Sequence, residues 1–337
     1  MKLPGVISGL VLSLLLTGLP AFGQGSLTPP GAPAATMKSL DQIQPRTDVL
    51  KLGGDIYAQY VITQPGSYFL STNIVMVSGF RAIEIKTNDV TLDLSGFTIS
   101  GGDRPAVFGG VSVNRIRVFN GHLANVSAGI DFYTFAYGTN IVVENMQLAG
   151  AGGNAGYGII VAEGGRISHC QVAGFGSASG GGGISAGDRS VVENCDLQNN
   201  YSGLTLASLC RVENCLVQKS SNTGINAGDS SAVLNNQVDF CSQGISCGGN
   251  ARIENNNCTF CTGIGINIAN SFSRVENNQA NFNSFGFSSG VSTTNFVVRN
   301  TAHGNTNGNY SLGSTVAGPI FVGLGVVTNH PWANFSY

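Results

Sequence analysis

Two short segments recur along this chain at a nearly constant beat. The first places an aliphatic residue two positions before a usual Asn, with another aliphatic residue following it; its clearest copies are Val143-Glu144-Asn145, Val192-Glu193-Asn194, Val212-Glu213-Asn214, Ile253-Glu254-Asn255 and Val275-Glu276-Asn277. Weaker copies centre on Gly96, Asn120, His169, Asn235 and Asn300, so the ten centres lie 20 to 25 residues apart. The second segment is a Gly followed by an apolar residue, as at Gly129-Ile130, Gly158-Ile159, Gly183-Ile184, Gly203-Leu204, Gly224-Ile225, Gly244-Ile245, Gly265-Ile266 and Gly286-Phe287. Alternation of period two, with no 3.6-residue period, predicts strands. A fixed period of this length predicts a solenoid. No proline stands between Pro105 and Pro319, as continuous ladders that use every backbone N–H require.

The pattern therefore predicts an all-β chain, a right-handed single-stranded parallel β-helix solenoid of about ten coils, with its hand set by the general chirality of parallel connections. One apolar core column runs from Ile130 through Ile159, Ile184, Leu204, Ile225, Ile245 and Ile266 to Phe287. Another runs from Val118 through Val143, Ile167, Val192, Val212, Val233, Ile253 and Val275 to Val298. The Asn column is expected at a sharp bend, where Asn tolerates left-handed dihedrals and its amide can bond to the next coil.

Composition narrows the class further. Charged residues make up 10% of the 337, against roughly 25% in an average globular protein. With 48 glycines a coiled coil or helical bundle is excluded, and 42% hydrophobic residues exclude a disordered tail. A net charge of −2 without a basic patch gives no footprint for nucleic acid.

The ends differ from the body. Residues 1–23 have the form of a signal peptide: Lys2, an apolar run from Val6 to Leu16, Pro20, and small residues before an expected cleavage at Gln24. The apolar run is too short to span a membrane, and the mature chain has no second one, so a secreted, periplasmic or cell-surface location is expected. Residues 24–50 read as a Pro-rich leader and N-terminal cap, 51–318 as the β-helix, and 319–337 as a C-terminal cap.

Most charges have a structural explanation. Three residues before the centres stand Asp93, Arg117, Arg166, Arg211, Arg252 and Arg274; one residue before stand Glu144, Glu193, Glu213, Glu254, Glu276 and Arg299. Residues two apart on a strand share a face, so these columns are expected to form a surface ion-pair ladder. No metal cage is visible, because Asp188 and Asp229 stand two coils apart, and no cofactor is implied. His122 is read as a surface or turn residue and His169 as a member of the Asn column.

Eight cysteines in an exported chain permit disulfides. Cys170, Cys195 and Cys215 share one repeat position, as do Cys241 and Cys261, so Cys195 with Cys215 and Cys241 with Cys261 are candidate bridges between stacked coils. Cys247 and Cys258 are expected to pack in the core.

The segments LTPPGAPAATMKSLDQIQPRT (Leu27 to Thr47), GSYFLSTNI (Gly66 to Ile74), VTLDLSGFTISG (Val90 to Gly101) and the ending HPWANFSY resemble the secreted bacterial right-handed parallel β-helix repeat proteins. That resemblance implies the pectate-lyase-like fold and an exported location, and implies no particular reaction. Members of this fold that act on uronates use carboxylates with Ca²⁺ and a basic residue, and its polygalacturonases carry a GHG pattern; His122 in NGHL lacks the second glycine.

Two functions remain open. One is a non-catalytic exported module that binds an extracellular polysaccharide or forms part of the cell surface, using the outward row Ser185, Thr205, Asn226, Ser246, Asn267 and Ser288. The other is a polysaccharide lyase, hydrolase or epimerase sited on the irregular coil between Gly129 and Gly158. There Asp131 is the candidate catalytic group, with Tyr133, Phe135, Tyr137 and Tyr157 as candidate sugar-stacking residues.

Overall fold

The computed structural model describes residues 45–133, 138–290, 294–313, 316–325 and 327–337. Among these the regular structure is strand, apart from one 3-10 turn at Val49–Lys51. Parallel strands stack as a β-solenoid of about eleven turns.

Each regular coil contributes to three ladders. In one coil Thr223–Ala227 lies in the first, Ala232–Leu234 in the second and Gln237–Asp239 in the third. The first ladder is a separate sheet of twelve strands, from Ala58–Ile62 to Gly308–Leu312. The second and third merge into one sheet of 24 strands because Ile116–Val126 and Ile141–Gly150 run unbroken through the bend that separates them elsewhere. Strand pairing extends toward both ends of the described residues: Arg46–Asp48 pairs with Ser67–Phe69, and Asn334–Ser336 pairs with the third ladder at Thr301 and Ala302.

The first core column is registered as expected, with Ile130, Ile159, Ile184, Leu204, Ile225, Ile245, Ile266 and Phe287 all fully buried. The second differs at its last step, where Val275 pairs with Val297 and not with Val298. The bend is then Arg299, at φ 57°, and not Asn300. An Asn-centred reading slips by one here because this coil puts Arg in the left-handed position.

The bend itself is as expected, occupied by Asn120, Asn145, His169, Asn194, Asn214, Asn235, Asn255 and Asn277, all with φ between 51° and 61°. The side chains at these positions are exposed. The inter-coil amide ladder is formed one residue later, by buried Asn236, Asn256, Asn278, Asn300 and Asn334. Asn278 Oδ1 accepts from both the backbone N and Nδ2 of Asn256, each at 2.9 Å, while its own Nδ2 donates to Asn300 Oδ1 at 3.0 Å. The bend thus divides two tasks between adjacent asparagines: one takes the dihedral and the next satisfies buried backbone groups.

The ion-pair ladder is present on the second ladder, with one correction. Asp93 pairs in register with Phe119, which pairs with Glu144, so Asp93 belongs to the Glu column. Its partner is Arg46, at 2.6 Å, in the Arg column two coils earlier. Arg211, Arg252 and Arg274 each bond the Glu two residues on. Arg117 and Arg166 instead reach forward to Glu144 and Glu193, whose own strands carry Val142 and Val191 in the Arg column. Valine between Arg117, Arg166 and Arg211 keeps those cations from stacking, whereas Glu193 on Glu213, Arg252 on Arg274 and Glu254 on Glu276 stack in register and are offset by their ion pairs.

Candidate functional site

The outward row of the first ladder changes character along the axis. Val61, Glu84, Phe108, Asp131 and Ile160 come first, one per coil, and Ser185, Thr205, Asn226, Ser246, Asn267 and Ser288 follow in unbroken register. Small groups give the later coils a flat wall. The larger and charged groups give the early coils relief.

That relief encloses a pocket of about 520 Å³ lined by Tyr57, Arg81, Glu84, Lys86, Phe108 and Val111. Arg81 lies between the aromatic walls, with its guanidinium carbon 3.7 Å from the Phe108 ring centroid and 6.0 Å from that of Tyr57. Its Nη1 lies 3.0 Å from Oε2 of Glu84, a residue only 5% exposed. Lys86 Nζ lies 3.8 Å from the other Glu84 oxygen and 2.5 Å from Asp55 Oδ2. The Lys86 bond, then the Tyr57 N–H donated at 2.8 Å, hold the Asp55 carboxyl below the ordinary carboxylate range. The same bond raises the Lys86 ammonium above its usual value. Arg81, Glu84 and Lys86 thus line the pocket as paired charges beside two aromatic walls, with Asp55 bonding Lys86 from outside the lining.

Asp131 stands one coil beyond Phe108 in the outward row, but it is not an open carboxylate: it is 8% exposed, and Oδ1 accepts the Tyr133 N–H at 3.0 Å. Tyr133 is 46% exposed and adjoins it. Tyr157 opens the strand Tyr157–Val161, three residues before Ile160, the register partner of Asp131. That places it about 10 Å away along the strand, so the two are not brought together. Phe135 and Tyr137 lie outside the described residues. Sequence reasoning missed Tyr57, Arg81, Glu84, Lys86 and Phe108; the available signal was three charges within Arg81–Lys86 in a chain where charge is otherwise sparse.

All eight cysteines stand as buried thiols in the structure, the candidate pairs Cys195 with Cys215 and Cys241 with Cys261 among them. Side chains in a parallel column point the same way, and each thiol here turns to a carbonyl: Cys195 Sγ lies 3.2 Å from Glu193 O, Cys215 Sγ 3.4 Å from Glu213 O and Cys241 Sγ 3.4 Å from Asp239 O. Cys170, Cys195 and Cys215 occupy the buried position after the bend, so Cys215 N donates to Asn236 Oδ1 at 2.9 Å and the thiol stack leads into the amide ladder. Burial pushes the Cys247 thiol up to about 12 and that of Cys258 well above its ordinary value. Among the described residues no cluster of three or more His, Cys, Asp or Glu is placed to hold a metal ion. His122 lies in the strand Ile116–Val126 with Nδ1 3.1 Å from Gly96 O, and His169 takes the bend dihedral at φ 54°.

The fold is that of a parallel β-helix repeat protein. The Dettilon tailspike protein gp208 superposes with a TM-score of 0.53 at 16% identity, covering 82% of this chain and 61% of the tailspike. This chain therefore spans less than two thirds of that protein. The A-module of Azotobacter vinelandii mannuronan C-5 epimerase AlgE6 gives 0.49 at 12% identity over 86% of this chain and 99% of the module. The GH136 lacto-N-biosidase of Eubacterium ramulus gives 0.48 at 10% identity over 81% and 62%. At these identities the likeness establishes fold alone. No protein-family model matches the chain, and no curated protein matches it either.

Proposed function

We propose that this is an exported β-helix module that binds an extracellular glycan through the pocket on its early coils, without catalysis. The observation that carries this reading is the pairing of aromatic walls, Tyr57 and Phe108, with fixed charged groups, Arg81, Glu84 and Lys86, in one cavity of about 520 Å³. A sugar offers apolar C–H faces and a rim of hydroxyls, and such a pocket meets both. Tyr133, on the neighbouring coil, would extend the contact.

A glycan array read with the intact protein, with product analysis of every bound sugar, tests this. Binding that falls about tenfold, or about 1.4 kcal/mol, in Phe108→Ala without release of products supports the reading. Equal binding by wild type and variant removes it. Export rests on residues 1–23, which lie outside the described residues, and sequencing secreted material should find Gln24 at the N-terminus.

One observation favours a second reading. Glu84 and Asp131 occupy the same outward row two coils apart, a Cα separation of about 9.6 Å. That is near the upper limit of the roughly 6.5 to 9.5 Å between the carboxyls of inverting glycosidases. Against it, Phe108 lies between them and both oxygens of Glu84 face cations. Product formation that disappears in both Glu84→Gln and Asp131→Asn would establish the hydrolase.

A further inference from the structure

A second bend, between the third ladder and the first ladder of the next coil, takes a left-handed residue in most coils. Upstream it is filled by Asn125, Gly174, Asn199 and Lys219, then by Phe240, Phe260 and Phe282 at φ of 56°, 56° and 57°. A bulky side chain in this region is a steric outlier that Asn or Gly avoids. Burial does not explain the three rings, which are 55%, 47% and 47% exposed. They stack on one another instead, with centroids 5.1 and 5.2 Å apart and planes inclined by 9° and 8°. His303 meets Phe282 edge-on at 5.1 Å, and Tyr337 lies 6.0 Å beyond it. An aromatic strip therefore runs along the solenoid axis, one ring per coil.

A polar row accompanies it on the third ladder: Asp239, Thr259, Asn281 and His303, in register. The Asp239 carboxylate is already taken up by Gln237 Nε2 at 2.6 Å, by Gln218 and by Thr259. Asn281 Oδ1 and His303 Nδ1 are themselves buried and have no hydrogen-bond partner among the described residues, so a ligand would meet the partly exposed remainder of these side chains. Apart from His303, the formal charges in these two rows are Lys219 at one end and Asp239.

We propose that Phe240, Phe260 and Phe282, with Thr259, Asn281 and His303 beside them, form a second binding surface for a neutral, extended polysaccharide lying along the solenoid axis. Three features select that ligand. The surface repeats at one coil spacing, which is comparable to the length of one sugar ring in an extended chain. It presents an apolar line of exposed rings beside a row of partly exposed polar residues, Thr259, Asn281 and His303, suited to the C–H edges and hydroxyls of successive sugars. It has no row of cations for a polyanion. Because the rings stack face to face, their electropositive edges point outward, where glycan oxygens can meet them. The surface uses different residues and a different ladder from the pocket and does not depend on it.

The test is native affinity electrophoresis of the full chain in gels containing hydroxyethylcellulose or glucomannan, with alginate as the charged control. The expected result is retardation by a neutral polymer, weakened about tenfold in the triple variant Phe240→Asn, Phe260→Asn, Phe282→Asn and unchanged in Leu209→Asn, an exposed left-handed residue outside both surfaces. Asn suits the bend dihedral, so the triple variant should melt no lower than wild type, and its loss of binding reports the surface and not the fold. Absence of retardation in every neutral polymer, or equal retardation of the triple variant, overturns the proposal. So does a wild-type dimer in sedimentation that the triple variant dissolves, since the strip would then be a self-contact. Failure of the pocket reading would appear separately, as a Phe108→Ala variant that binds the array like wild type.

Discussion

Arg81 lies across the face of Phe108, 3.7 Å from its centroid, and from that position bonds Glu84 at 3.0 Å. Neither neighbour is accidental to the other. The ring shields the ion pair from water on one side, and the guanidinium spends its charge on a carboxylate that is almost fully buried. Arg81→Ala should therefore destabilise the protein by about 2 kcal/mol, because Glu84 would keep only the longer contact to Lys86. Adding Glu84→Ala should recover part of that loss. Urea denaturation of the single and double variants measures both, and a double variant no more stable than Arg81→Ala would contradict the pairing.

Asn278→Ala should cost about 3 kcal/mol, since it leaves the buried Asn256 N–H without its acceptor and the buried carbonyls of Ile253 and Glu276 without their donor. Asn277→Gly, one residue earlier, should be nearly silent, because that exposed position needs only the left-handed dihedral. Thermal melting of the two variants side by side checks the division of roles between the adjacent asparagines.

Acid should weaken the early coils. Folding lowers the Asp55 pKa below the ordinary carboxylate value, chiefly through its bond to Lys86, so as pH falls through that value the unfolded chain binds a proton that the folded chain does not. Stability from this group is full above the unfolded value and is lost as pH falls through the lower folded value. The pair with Lys86 is partly exposed, so the effect should stay below about 1 kcal/mol. Asp55→Asn should flatten this part of the stability profile between pH 5 and about 2, as followed by denaturant melts at each pH.

The thiols should be silent in the native protein. All eight are buried, and burial holds Cys247 near 12, so iodoacetamide at pH 8 should label none before unfolding. Unfolding without reductant should then expose all eight to alkylation, read by intact mass. Two fewer labels would reveal a bridge formed in an oxidising compartment, with Cys195 to Cys215 and Cys241 to Cys261 the pairs to examine.

The sequence by itself determined what every coil repeats. Inward positions such as Ile225 and Val233 face the same environment in each turn, so selection for burial writes them at a constant interval, and the bend writes Asn beside them. The surface pairing of Arg252 with Glu254 was legible for the same reason, being two residues apart on one strand. Tertiary structure alone decided whatever breaks the repeat. Arg299 in place of Asn at the bend shifted the last column by one residue, and Asp93 left the expected charge column because Ser95 and Gly96 both take positive φ there. The pocket draws Tyr57, Arg81 and Phe108 from three successive coils. The aromatic strip likewise joins residues 20 and 22 apart in sequence that stacking brings into ring contact. Periodicity reports which residues occupy equivalent places in different coils, but distances between side chains across coils depend on register and rotamer, which exist only once the solenoid has closed its ladders.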